Sequence, residues 1–168
     1  MCYRAHDPQW SSLPISGEGA AIRGGRFNRV GQKALYLSLE IGTAIAECSQ
    51  GFASRIPPMT ICEYDLDCDP VADLSDEATK TKLEVLWHEL ECPWLADVSA
   101  GRDPASWRLV DRLMAQRYIG IIVPSFAPGT DGSQRNLVLW NWGEELPAMV
   151  RVFDPGKRLP HDRTSWSA

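Results

Sequence analysis

Between residues 24 and 49 the chain joins three pieces whose order narrows the folds open to it: a glycine-rich cationic loop, a strand and a short helix. The loop is Gly24-Gly25-Arg26-Phe27-Asn28-Arg29-Val30-Gly31, and its glycines argue against a regular element there. Ala34–Ser38 reads as a strand, Thr43 as a helix cap and Ala44–Ser49 as a short helix. A chain built this way needs a sheet to carry the strand and leaves Arg26, Tyr36 and Glu47 in one local unit.

The other segments supply that sheet. Cys2–His6, Met59–Asp65, Ile119–Val123, Asn136–Trp142 and Ala148–Phe153 all carry strand patterns. Residues 76–91 read as helical in parts, and Cys92-Pro93-Trp94 interrupts them. The strongest helix follows, with Asp103 as cap, Pro104 in the first turn, and Trp107, Val110, Leu113 and Met114 along one apolar face. Pro8, Pro14 and the stretch from Gly17 to Gly25 predict a long irregular loop, which the arginines mark as a binding loop. A second flexible rim is expected at Pro128-Gly129 and Asp131-Gly132-Ser133. The prediction is one α+β domain over residues 1–168, with five or six strands and a tail from about residue 155.

Composition excludes several classes. The net charge of −5 argues against a general nucleic-acid binder, which needs excess lysine and arginine to neutralise phosphates. Residues 1–33 nevertheless carry Arg4, Arg23, Arg26, Arg29 and Lys33 against Asp7 and Glu18, a balance of +3 that leaves −8 elsewhere. Such a local basic region suits a small anionic ligand, and the acidic remainder suits a basic partner protein. No apolar run is long enough to cross a membrane, and the N-terminus lacks the order of a signal peptide, so a soluble, cytoplasmic protein is expected. Five cysteines without a C-x-x-C pair agree with a reducing compartment. Three dispersed histidines argue against a metal site, and Asp65, Asp67, Asp69 and Asp73 lack the glycine and terminal glutamate of a calcium loop, so they read as solvated turns.

The candidate site residues have identifiable chemistry. An arginine forks two donors onto a diphosphate, and the amides of Gly24, Gly25 and Gly31 offer further donors. Tyr36 suits stacking on a planar ring, although a strand aromatic is also ordinary core. Glu47 lies in a mostly apolar helix, where an acid needs solvent or a partner. Ser125 follows Val123-Pro124 without a G-x-S-x-G elbow, which disfavours a hydrolase nucleophile. Together a cation, an aromatic face and an acid suit a phosphorylated, positively charged ring substrate such as a dinucleotide.

The ordered set Tyr3-Arg4, Gly17-Glu18-Gly19-Ala20, Gly24-Gly25-Arg26-Phe27-Asn28, Leu35-Tyr36, Ala46-Glu47, Val123-Pro124-Ser125 and Asn136-Leu137-Val138-Leu139-Trp140 resembles the RES-domain family, toxins of bacterial toxin–antitoxin pairs. Phe27 stands where many relatives have tryptophan, and residues 66–103 match least well. The resemblance implies an ADP-ribosyltransferase-like α+β fold with a central, mostly antiparallel split sheet, and cleavage of NAD⁺, which is the substrate, with no metal. It assigns the family's arginine, glutamate and serine to Arg26, Glu47 and Ser125, with Tyr36 as the pocket tyrosine, and places Arg4, His6, Asn28 and Asn136 near the ligand. It implies an Xre-like antitoxin as partner, and a protein side chain, phosphate or water as acceptor of ADP-ribose. Two other readings stay open: RNA 2′-phosphate transfer, which the acidic charge fits poorly, and a catalytically silent nucleotide- or partner-binding module.

Overall fold

The computed structural model describes residues 1–49 and 56–164. Seven strands, β1 (Cys2–His6), β2 (Leu35–Ser38), β3 (Thr60–Cys68), β4 (Val71–Asp73), β5 (Gly120–Pro124), β6 (Arg135–Leu139) and β7 (Ala148–Val152), join in one sheet of order β4-β5-β6-β2-β1-β3-β7. Among these strands β4–β5 is the parallel pair, and the other pairs are antiparallel. The helices are α1 (Glu18–Arg23), α2 (Ile41–Ser49), α3 (Glu77–Lys82), α4 (Trp87–Glu91), α5 (Trp94–Ser99) and α6 (Ala105–Ala115). The architecture is an α+β domain.

Strand alternation sends successive side chains to opposite faces, and each face has its own core. Val138, Ile121 and Val123 pack with Leu109, Val110 and Leu113 of α6 and with Leu90 of α4. Leu35, Leu37, Leu137, Leu139, Tyr64 and Val150 form the core of the other face. Each such side chain contributes roughly 1.5–3 kcal/mol when removed from water. β2 lies at the centre of the ladder, paired with β6 through Ser38↔Asn136 and with β1 through Tyr3↔Ser38.

Several sequence expectations change. A seventh strand, β4, is present beyond the five or six expected; its three residues are too few for a periodic signal. The predicted irregular loop contains a 3₁₀ turn, Pro8–Trp10, whose Gln9 amide bonds the Asp7 carboxylate, and then α1. Proline and glycine here punctuate short helical turns. Thr43 is no cap: α2 starts at Ile41, Ala44 N–H donates to Glu40 O, and Thr43 is buried inside the helix. Asp103 does not cap α6 either, because its carboxylate pairs with Arg29 and Pro104 takes the cap position. The buried face of α6 runs through Ser106, Leu109, Val110 and Leu113, while Met114 is exposed.

Asp65 and Asp67 lie within β3, opposite Arg151 and Met149 of β7, and are not turn residues. β6 ends at Leu139; beyond it Trp140 Nε1 donates to Phe27 O and Trp142 Nε1 to Ile15 O. The C-terminal segment is tied down as far as it is described: Asp154 accepts from the Arg158 and Leu159 amides, Leu159 packs against the second core, and Arg163 lies 3.8 Å over Trp10. Residues 165–168 of the expected tail lie outside the described residues.

Candidate active site

Two cavities meet at Tyr36, Glu47 and Asn136, which line both. The larger, about 630 Å³, extends past Tyr3, Arg4, Trp10, Arg23 and Ser38. The smaller, about 180 Å³, is enclosed by Arg26, Phe27, Trp94, Val123, Phe126 and Val138. Their size suits a nucleotide-scale ligand, since small-molecule sites span roughly 300–1,000 Å³.

Packing of α2 along β1 and β2 sets Glu47 at the junction. Its Oε1 accepts from Ser125 Oγ at 2.6 Å and from Asn136 Nδ2 at 2.5 Å. Asn136 Oδ1 in turn accepts from Ser38 Oγ at 2.7 Å. Donors from two strand segments therefore fix a partly buried carboxylate between the lobes. Charge-assisted bonds of this kind are about twice as strong as neutral ones.

Tyr36 separates the lobes with its ring while its hydroxyl is tied back. Tyr36 Oη donates to Asn28 Oδ1 at 2.8 Å and accepts from the Phe27 amide at 3.1 Å. Burial raises the phenol above its ordinary range, so Tyr36 remains protonated and serves as a wall, not a base. Gly25 permits this approach: a Cβ there would stand 2.6 Å from Tyr36 Oη and 2.7 Å from Asn28 Oδ1.

The loop carrying Arg26 is held by side chains from α6 and by Trp140. Trp107 Nε1 donates to Gly25 O at 2.8 Å and Ser106 Oγ to Arg26 O at 2.5 Å. Arg29 forks onto Asp103, bonds Asp111 at 2.7 Å and lies over the Trp107 ring. Arg26 itself stacks 4.4 Å over Phe126, and its Nη1 donates to Leu90 O and Cys92 O. Burial lowers its proton affinity, yet a guanidinium stays charged under all ordinary conditions. Arg4 lines the larger lobe, and its Nη1 donates to Pro14 O at 3.0 Å and Ser16 O at 3.1 Å.

The expected residues thus divide. Arg4, Arg26, Tyr36, Glu47 and Asn136 reach the cavities; Ser125, Asn28 and His6 line neither. Ser125 is buried behind Glu47 and bonds it directly, so its hydroxyl orients the acid. Asn28 is fully buried, with its amide nitrogen on the carbonyls of Ala20, Arg29 and Gln32; it builds the loop. The expected glycine cradle is also absent: the amides of Gly24, Gly25 and Gly31 donate to Ala20 O, Asn28 O and Ala21 O. The glycine-rich stretch 128–133 lines neither lobe. Sequence reasoning missed Tyr3, Trp10, Arg23 and Ser38 as cavity residues. For Ser38, strand alternation from Tyr36 was the available signal.

His6 lies beneath the site, with Nε2 3.4 Å from Ser11 Oγ and Nδ1 buried without a hydrogen-bond partner among the described residues. Burial, then the Arg4 charge, lowers it from the ordinary 6.5 to about 4, with Asp7 opposing. The unfolded chain takes up this proton near pH 6.5 whereas the folded protein resists it until about pH 4. His6 therefore removes stability as pH falls through that window. Urea midpoints measured from pH 6.5 to pH 4 should fall less steeply for His6→Gln than for the parent.

A cleft of nucleotide size with a fixed carboxylate at its waist is the candidate site of this α+β domain. Residues 1–164 match the model of the RES domain, and the chain belongs to that family. The structure is similar to the toxin of the M. tuberculosis MbcT–MbcA toxin–antitoxin complex, with a TM-score of 0.60 and 20% identity over 91% of this chain and 80% of that one. No curated protein matches the sequence.

Proposed function

We propose that this RES-domain protein is the toxin of a toxin–antitoxin pair and that it cleaves the bond between nicotinamide and ribose in NAD⁺. The observation that carries this reading is the position of Glu47: a carboxylate that accepts from Ser125 and Asn136 at the junction of a ring-sized lobe and a larger one. Cleavage breaks the C1′–N bond, and the electron pair leaves with nicotinamide, which becomes neutral. Positive charge then develops on the ribose, and an oriented carboxylate stabilises it. The acceptor's nucleophile forms the new bond to C1′ and gives up its proton. Because nicotinamide leaves well, positioning supplies much of what remains.

On this reading the nicotinamide ring occupies the smaller lobe among Phe27, Trp94 and Phe126, with Tyr36 packed beside it. Arg26 and Arg4, one in each lobe, provide positive charge for the diphosphate, and Tyr3 and Trp10 wall the larger lobe. A cognate Xre-like antitoxin is the proposed partner. The similarity to a toxin crystallised with its antitoxin, and the acidic balance outside residues 1–33, support it.

The test is incubation of purified protein with NAD⁺ labelled in the adenylate, with and without phosphate and cell extract. Free nicotinamide is expected in the absence of added RNA. Label on a protein band identifies a protein acceptor, and label confined to small molecules identifies phosphate or water. Intact NAD⁺ under every condition would leave a silent binding module as the better account.

A further inference from the structure

We propose that Ser38 is a positioning residue for Glu47, acting through Asn136; the inference rests on the NAD⁺-cleaving reading above. Ser38 ends β2 at the middle of the sheet, where β1 and β6 flank it, and only 3% of it is exposed. Its hydroxyl donates to Asn136 Oδ1, and Asn136 Nδ2 donates to Glu47 Oε1. The three side chains form a chain of hydrogen bonds running in one direction.

That direction is imposed by chemistry. A carboxylate only accepts, so the amide must turn its NH₂ towards Glu47. The reverse orientation sets a carbonyl oxygen against a carboxylate oxygen 2.5 Å away, which repels. With NH₂ towards Glu47, Asn136 Oδ1 faces Ser38, and a residue 9% exposed requires a donor there. Serine supplies that donor from a backbone held on both sides. Alanine at position 38 leaves the carbonyl unsatisfied and removes the bond that holds the amide in place behind Glu47.

Ser125 cannot substitute for this link. It reaches the same Oε1 from β5's end by its own hydroxyl, so it and the Ser38–Asn136 pair are separate supports for the acid. Loss of either bond loosens the placement of Oε1, and a displacement on the order of 1 Å at a reacting centre costs about a hundredfold in rate.

Nicotinamide release from NAD⁺ tests the link in Ser38→Ala, Ser38→Thr, Asn136→Ala and the Ser38→Ala/Asn136→Ala double variant. Ser38→Ala should lower kcat by about ten- to a hundredfold with KM nearly unchanged, and Ser38→Thr, which keeps the hydroxyl, should restore most of it. In the Asn136→Ala background the serine substitution should add nothing, because both act on one path. Multiplying losses in the double variant, or no rescue by threonine in a folded protein, would overturn the proposal. Should Ser38→Ala not fold, Ser38→Cys takes its place and should retain intermediate activity as a weak donor. Absence of turnover in the parent protein defeats the NAD⁺ reading instead. The link is then read from the Asn136 side-chain amide resonances, and their failure to move in the serine variant would overturn it.

Discussion

Glu47→Gln should leave a folded protein whose release of nicotinamide from NAD⁺ is slower by about a hundred- to a thousandfold, the usual loss when one group that stabilises transition-state charge is removed. Glutamine is the informative substitution because its carbonyl oxygen still accepts from Ser125 and Asn136, as Glu47 Oε1 does. Shape and local bonding persist while the negative charge is lost. If the acid acts on developing positive charge at the ribose, kcat falls and KM changes little. Equal turnover by parent and variant, with matching thermal midpoints, would remove Glu47 from the chemistry and return the cleft to a binding role.

The same residue illustrates how much of the site was legible in the sequence. An acid among Ala44, Ile45, Ala46 and Cys48 on a short helix demanded a partner, and Ser125 and Asn136 are such partners. β1 was legible to the residue, bounded by Asp7-Pro8, and β2 nearly so, because Leu35 and Leu37 alternate with Tyr36 across the sheet. β4 escaped because three residues carry no period, and α1 escaped because its flanking glycines read as loop.

Side-chain roles were legible by type but not by place. Asn28 and Ser125 were singled out as polar groups near a ligand, and both turn out to hold other groups. Whether a polar side chain faces a cavity or a buried carbonyl depends on tertiary packing, which one sequence does not print. The glycine amides show the same limit: a flexible loop can aim its N–H groups at an anion or close on itself, and this loop closes on itself.

Gly120→Ala should destabilise the protein by about 3 kcal/mol, the upper range for an overpacked interior. A Cβ at this position would lie 2.5 Å from Val138 O, 2.7 Å from Leu139 Cδ2 and 3.3 Å from Leu139 Cα. The first and last of these are backbone atoms of β6, so a rotamer change cannot relieve the contact. Gly120 is paired with Leu139 of β6 on one side and Val71 of β4 on the other, which leaves little freedom to retreat. Relief therefore requires β6 to move, and β6 carries Asn136, whose amide holds Glu47. Stability and activity should fall together, as read by urea unfolding and by nicotinamide release from the folded fraction. Gly42→Ala is the counterpart on α2, where a Cβ meets nothing within 4 Å. Relief of glycine's backbone entropy there should raise stability by up to about 0.5 kcal/mol. A comparable loss at both positions would mean that the close approach of β5 to β6 is not what the missing Cβ permits.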